Sequence, residues 1–142
     1  MPRLFHGTSR AFATAMAGTP VAGGTIDVTI GRGEFGRGFY TQASSGNAYR
    51  RGQSLYGNNS AMLILDIDDT AYHGLVMQHL TVNMAQMLNA TLRNHNTQGT
   101  YITHHDVIVG PLVGQPRIEQ QKFQSANAQT LLNGALTQRT VL

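Results

Sequence analysis

Cysteine and tryptophan are both missing from this chain of 142 residues. Without cysteine the protein has no disulfide bonds, no disulfide-linked partner, no zinc-cysteine site and no thiol nucleophile. We therefore expect packing alone to stabilise the fold, in a reducing or an oxidising compartment. No run of about 18 apolar residues occurs, which excludes a transmembrane helix and predicts no membrane partner. Residues 1–10 lack the apolar core of a signal peptide, so any export is expected through a larger polypeptide or another route.

Charged residues are scarce, at 12% of the chain against about 25% in typical soluble domains. Because 41% of the residues are apolar, this scarcity does not indicate disorder. The ten basic residues are nine Arg and one Lys, and their scattered positions with a net charge of +3 give little support for nucleic-acid binding. The seven acidic residues include only two glutamates, Glu34 and Glu119. An enzyme that needs a glutamate therefore has two candidates in this chain.

The length predicts a single domain over residues 1–142, since most domains have roughly 100–200 residues. Apolar periodicity and turn residues predict short strands and helices in irregular order. This order favours an α+β domain built on a bent antiparallel sheet or split sandwich. The predicted strands are 4–8, 25–30 (or a binding loop), 62–67, 104–111 and an extended segment at 117–124; the predicted helices are a short one within 10–24, followed by a loop broken at Pro20, then 44–56, 75–93 and a last helix capped by Ser125.

Three short motifs carry the chemistry. A neutral imidazole can accept a hydrogen bond from a sugar hydroxyl, glycine lets the backbone approach a ligand closely, and tyrosine offers a flat face to an aromatic ring. The motifs are Phe5-His6-Gly7-Thr8-Ser9, then Glu34-Phe35-Gly36-Arg37-Gly38-Phe39-Tyr40 with Tyr49 in the helix behind it, and Ile118-Glu119-Gln120-Gln121-Lys122-Phe123.

In order and spacing these motifs resemble the ADP-ribosyltransferase fold, in particular its His-Tyr-Glu branch, which includes diphtheria-type toxins and poly-ADP-ribose polymerases. In that branch a His-Gly pair on the first strand contacts ribose and the nicotinamide amide, and a Phe-Gly-Lys-Gly-aromatic-Tyr strand walls the nicotinamide pocket. The resemblance implies a split antiparallel β-sandwich with flanking helices, NAD as the substrate and no metal. It also implies a transferase that releases nicotinamide and modifies a macromolecule.

A closer resemblance is to small bacterial domains of the same fold that pair an Asp-Phe-Gly-Lys-Gly-Phe-Tyr segment with a later Tyr-Asp-Ile-Val-Ile-Gly-Pro segment. Here the corresponding segments are 34–40, with Arg37 in place of the Lys, and 105–111. This likeness implies the C-terminal toxin domain of a larger secreted or delivered effector that acts in the cytoplasm of a target cell. It further implies a protein or RNA acceptor and a cognate immunity protein as partner.

The resemblance also implies the site residues. The third family motif places a Glu at the start of a late strand, and the small bacterial group often has a Gln at this position. When the motif is aligned on Phe123, Gln120 occupies this position and Glu119 lies one place earlier. Successive strand residues face opposite sides, so only one of the two can point into the cleft unless a bulge intervenes. The catalytic candidates are His6, Tyr40, Glu119 and Gln120; the residues expected to bind NAD are His6, Gly7, Thr8, Arg37, Gly38, Phe39, Tyr40 and Tyr49.

Other interpretations remain open. With Gln at the catalytic position the chain is alternatively a degenerate module that binds a nucleotide or a partner, and with water as acceptor it is an NAD glycohydrolase. We expect a structural or loop role for Glu34, and structural roles for His104-His105-Asp106 and for the aspartates at 66, 68 and 69 in place of metal binding. The group Arg32, Arg37, Arg50 and Arg51 is a solvated face or neutralises the pyrophosphate of NAD.

Overall fold

The chain folds into alternating short strands and helices, which confirms the α+β class. The computed structural model describes residues 1–18, 26–31, 33–94 and 103–142. Its elements are β1 (Arg3–Ser9), α1 (Arg10–Ala17), β2 (Phe39–Gln42), α2 (Ser45–Tyr56), a 3-10 turn (Gly57–Asn59), β3 (Ser60–Ile67), α3 (Asp69–His73), β4 (Met77–His79), α4 (Val82–Asn94), β5 (Val107–Pro111), β6 (Glu119–Phe123), α5 (Ala126–Asn133) and β7 (Thr137–Val141).

These elements belong to two compact units, each assembled from separate stretches of the chain. The first unit combines Met1–Ile26, Thr41–Gly74 and Thr130–Leu142. Its strands lie in the order β2-β1-β3-β7, and every neighbouring pair is antiparallel. Strand β3 is paired on both sides and buries its apolar run, so the predicted central strand at 62–67 is confirmed.

Helix α2 packs unusually closely on β1 in this unit. Ser44 caps the helix by accepting a hydrogen bond from the Asn47 N–H at 3.3 Å, as expected for a serine before a helical run. A Cβ atom placed on Gly7 would lie 1.9 Å from the carbonyl oxygen of Ala48. Glycine at this strand position therefore permits the helix and strand backbones to touch.

The second unit combines Asp27–Tyr40 and Leu75–Gln129. In it β5 pairs antiparallel with β6 and parallel with β4, so the prediction of an entirely antiparallel sheet is wrong. A hydrophobic cluster holds α4 against β5; its members are Phe35, Ala85 and Ile108, with Tyr40, Leu80 and Leu88 packed around them.

The predicted helix at 75–93 is also wrong in its first third. Residues Met77–His79 form β4, because their backbone pairs with β5 from Met77 opposite Val107 to His79 opposite Val109. Helix α4 starts only at Val82. The hydroxyl of Thr81, the residue directly before it, accepts a hydrogen bond from the Met84 N–H at 3.2 Å. Apolar spacing in a single sequence does not distinguish a strand followed by a helix from one continuous helix.

Residues 26–30 form turns, which contradicts the predicted strand over 25–30. The Ile26 N–H donates to the Asn133 side chain at 2.7 Å, and the Val28 N–H donates to the Gln129 side chain at 2.9 Å. Side chains of α5 therefore accept the backbone hydrogen bonds that a neighbouring strand would otherwise accept. Thr25 and Pro20 lie outside the described residues.

We predict that Gly7→Ala destabilises the protein by about 1–3 kcal/mol or more, because the new methyl group forces apart two packed backbones. Urea unfolding followed by circular dichroism measures the change. Gly46→Ala on the exposed first turn of α2 is the matched control, because its nearest neighbour would lie 3.8 Å from the new Cβ. That control is expected to be neutral or to stabilise by up to about 1 kcal/mol. Equal unfolding midpoints for the two variants would contradict the close packing.

Candidate functional site

The first group of predicted site residues lies within the first unit, on β1 and α2. His6 is half-buried on β1 opposite Leu63, and Thr8 is buried. Gly7 contacts the carbonyl of Ala48, the residue directly before Tyr49. The Tyr49 ring is 57% exposed on the helix surface. The unit thus brings the His6–Thr8 segment against the turn of α2 that carries an exposed tyrosine.

The second group lies within the second unit, on the glycine-rich segment that precedes β2. The Gly36 N–H donates to the Gly33 carbonyl at 3.1 Å, and Gly36 has a φ of +86°, a conformation that side chains disfavour. The Tyr40 hydroxyl accepts a hydrogen bond from the Phe35 N–H at 3.0 Å and donates to the Gly36 carbonyl. These two hydrogen bonds of Tyr40 stabilise the turn, and the tyrosine ring packs against Gly33.

Glu34 and Gln120 are joined by a hydrogen bond. The Gln120 amide Nε2 donates to Oε1 of Glu34 at 2.9 Å, and the Val113 N–H donates to the same oxygen at 3.0 Å. The Asn89 side chain donates to the Glu34 carbonyl at 3.3 Å. Glu34 has a structural role, as expected, because the hydrogen bond between its carboxylate and Gln120 connects the turn to β6. Sequence reasoning did not connect Glu34 with Gln120.

Glu119 has different surroundings from Gln120. Gln120 is only 5% exposed, whereas Glu119 is exposed. Glu119 borders a cavity of about 330 Å³, which it lines together with residues 79–82, 109–111, Pro116 and Arg117. The regular β5–β6 register over Glu119–Phe123 leaves no bulge that would turn both side chains to one side. Because side chains alternate along a strand, the Gln120 amide faces the glycine-rich turn and the Glu119 carboxylate faces this cavity.

Lys122 was not among the predicted site residues, yet it contacts the same turn. It is fully buried, and its Nζ donates to the Phe35 carbonyl at 2.6 Å. Burial, with a smaller contribution from the nearby Arg37 guanidinium, lowers the pKa of Lys122 from its ordinary 10.5 to about 7. Its stem fills the space that a side chain on Gly38 would need. The available signal was that the chain's single lysine lies in the third motif, two residues after Gln120.

Arg37 is half-buried beside this lysine, and among the described residues its buried Nε has no hydrogen-bond partner. Phe39 is buried in the core at the start of β2. Arg50 donates to the Asn47 side chain at 3.1 Å on α2, and Arg51 is exposed there. Arg32 lies outside the described residues. Of the predicted arginine group, Arg37 is therefore the member that the structure places in the glycine-rich segment.

The aspartates have the structural roles that were expected. Asp68 caps α3 by accepting from the Ala71 N–H at 3.0 Å, and Asp66 pairs with Arg3 at 2.7 Å. Asp106 accepts from the Val76 N–H at 2.8 Å and thereby joins β4 to β5. His104 and His105 precede β5, and their rings stack with centroids 4.3 Å apart instead of facing opposite sides as successive strand residues do. Within the described ranges, no cluster of three or more metal-ligating side chains is found.

Comparison of the sequence with protein-family models and with curated proteins gave no match. Among the described residues, no helix has the length and apolar character needed to cross a membrane. The geometry of the two groups of residues is therefore the basis for any functional conclusion.

Lys122 offers a direct test of the buried turn, because it is the only lysine in the chain. Protein labelled with 13Cε-lysine is expected to show one side-chain resonance that titrates near pH 7 in the folded state and near its ordinary 10.5 in urea. A folded-state midpoint above pH 9.5 would contradict the burial of the ammonium group against the Phe35 carbonyl.

The same lysine predicts how stability depends on pH. Its pKa is lower in the folded than in the unfolded state, so between about pH 7 and 10.5 the unfolded chain binds more protons and the free energy of unfolding rises with pH. Lys122→Met keeps the apolar stem and removes the titrating group, so urea unfolding of this variant is expected to lose that rise. Below pH 7 the wild-type protein carries the full cost of a buried ammonium ion. An equal rise in both proteins would contradict the assignment.

Proposed function

We propose that this chain is an ADP-ribosyltransferase toxin domain that cleaves the nicotinamide–ribose bond of NAD and transfers ADP-ribose to a protein or RNA. The observation that carries this proposal is the context of the glycine-rich motif. It forms a turn with a positive φ at Gly36 and continues directly into β2, and β2 pairs with the strand that carries His6 and Gly7. Each motif therefore has a defined place in its own unit: His6 and Gly7 lie on β1 in the first unit, and the glycine-rich turn lies in the second.

Several described groups fit the parts of NAD. The exposed ring of Tyr49 offers a face for the nicotinamide, and the half-buried imidazole of His6 can accept from a ribose hydroxyl. A phosphate oxygen would supply the partner that the buried Nε of Arg37 lacks among the described residues. Within the first unit, His6 and Tyr49 would therefore hold the sugar and the aromatic ring of the substrate; within the second unit, Arg37 would bind a phosphate.

The reaction needs no redox step. The bond between the ribose anomeric carbon and the nicotinamide ring nitrogen breaks, and its electron pair stays on nitrogen to give neutral nicotinamide. A lone pair of the acceptor forms the new bond to the anomeric carbon, and the proton of the acceptor passes to water. The transition state develops oxocarbenium character, so a nearby carboxylate stabilises it. In the toxin setting the reaction occurs in the cytoplasm of a target cell, and an immunity protein of the producing cell blocks the site.

The second candidate function is a binding module of the same fold. It is favoured by the neutral side chain at the family's catalytic position, since the Gln120 amide is buried and already bonded to Glu34. A module of this kind gives a saturable calorimetric signal with NAD or ADP-ribose and no product. An NAD glycohydrolase shares the site and differs in using water as the acceptor.

We predict that the purified chain releases nicotinamide from NAD and transfers radiolabelled ADP-ribose to a component of a cell lysate. Tyr49→Ala is expected to lower kcat/KM for NAD about fivefold or more, because about 1 kcal/mol or more of ring stacking is lost. Chromatographic assay of free nicotinamide measures the first step.

Leu55→Ala is the matched control, because Leu55 lies on the same helix and is 54% exposed, against 57% for Tyr49. We expect this variant to keep wild-type turnover. Equal loss in both variants would show that the effect comes from the helix and not from the ring. Absence of nicotinamide release and of label transfer by the wild-type chain would rule out the enzyme; a saturable calorimetric signal without product would then select the binding module.

A further inference from the structure

We infer that Glu34, held in position by Gln120 within the second unit, is the carboxylate that meets the ribose of NAD, an inference that rests on the proposed function. The family resemblance leaves that carboxylate unassigned between Glu119 and the neutral Gln120. The structure offers a third possibility, because the amide of Gln120 points at the carboxylate of the only other glutamate in the chain.

The geometry of β6 removes Glu119 from this role. Gln120 and Lys122 lie two residues apart on one face of the strand, and both contact the glycine-rich turn. Glu119 is on the other face, where it borders its own cavity. The unbroken register of β5 and β6 gives the strand no local twist that would bring Glu119 to the turn.

The hydrogen bonds on Glu34 leave one of its oxygens available. Both the Gln120 amide and the Val113 N–H donate to Oε1, at 2.9 and 3.0 Å. Among the described residues Oε2 accepts no hydrogen bond, and the side chain as a whole is only half-buried. Two donors on one oxygen fix the plane of the carboxylate while the second oxygen can meet a ligand.

The backbone that carries Glu34 is equally well held. The Asn89 side chain donates to the Glu34 carbonyl at 3.3 Å, Lys122 donates to the next carbonyl at 2.6 Å, and the Tyr40 hydroxyl is bonded to the turn. Preorganisation of this kind is what electrostatic stabilisation of a transition state requires, because the charge must not need to move during the reaction.

The role is electrostatic and involves no bond to Glu34. As the carbon–nitrogen bond of NAD breaks and its electron pair leaves with nicotinamide, the Oε2 atom of Glu34 accepts a hydrogen bond from a ribose hydroxyl and stabilises the positive charge on the sugar. The acceptor then bonds to the anomeric carbon and releases its proton to water. Gln120 acts as a positioning residue, because it touches the carboxylate and not the sugar.

Four purified proteins test the inference in the nicotinamide-release assay: wild type, Glu34→Gln, Glu119→Gln and the exchange variant Glu34→Gln/Gln120→Glu. Glu34→Gln keeps the size of the side chain and an oxygen that can accept from Val113 and Gln120, so its melting temperature is expected to stay within a few degrees of wild type. Its kcat is expected to fall about 100-fold or more, the range seen when one preorganised electrostatic group is removed, while KM changes less than about threefold. Glu119→Gln is expected to keep kcat within about threefold.

The exchange variant separates charge from structure. It keeps a Glu–Gln hydrogen bond between the same two positions but moves the carboxylate to buried position 120, which does not touch the sugar, so we expect its kcat to stay as low as in Glu34→Gln. A role of Glu34 confined to holding the turn predicts instead that the retained hydrogen bond restores wild-type kcat.

Each remaining outcome overturns the inference. These outcomes are wild-type kcat in Glu34→Gln, an equal loss in Glu119→Gln, a loss confined to KM, and wild-type kcat in the exchange variant. Failure of the proposed function is distinguishable, because then the wild-type chain itself releases no nicotinamide.

Discussion

The glycine-rich turn at 34–36 is the constraint around which the second unit is organised. Gly36 bends the backbone through a positive φ, and side chains from three elements then converge on it: Asn89 from α4, Gln120 and Lys122 from β6, and Tyr40 from β2. Burying the ammonium group of a lysine is costly, and the bond from its Nζ to the Phe35 carbonyl offsets part of that cost. The turn, the helix and the strand therefore depend on one another, and Phe35 is locked at the centre of their shared hydrophobic cluster.

This arrangement separates the two chemical faces of β6. Alternation along the strand directs Gln120 and Lys122 to the turn, and it directs Glu119 to a cavity bordered by Arg117. Close packing has the corresponding effect in the first unit, where Gly7 brings β1 against the turn of α2 that carries Tyr49. In both units a glycine without a side chain allows the close approach: Gly7 that of the α2 backbone, and Gly38 that of the Lys122 stem.

The local elements with strong signals were predictable. The apolar run at 62–67 and the capping serines Ser44 and Ser125 marked their strand and helices correctly. The segments that failed are those whose pairing partners are distant in sequence. Residues Met77–His79 become a strand because β5 lies beside them, and 26–30 becomes a loop because α5 side chains take its backbone hydrogen bonds. Propensity and periodicity report local preference, and such partners override it.

The amino-acid sequence alone determined the chemical inventory: no thiol, one lysine, two glutamates and a glycine-rich motif that ends in an aromatic pair. The resemblance carried by its motifs left Glu119 and Gln120 as alternatives for one expected position on a late strand, and neighbouring strand residues face opposite sides. Only the tertiary structure decided which of them meets the turn, and it revealed the partner. The Gln120 amide reaches the Glu34 carboxylate across 86 positions of sequence, because β6 and the turn pack together in the same unit. Contacts of this range follow from packing, which no local pattern encodes.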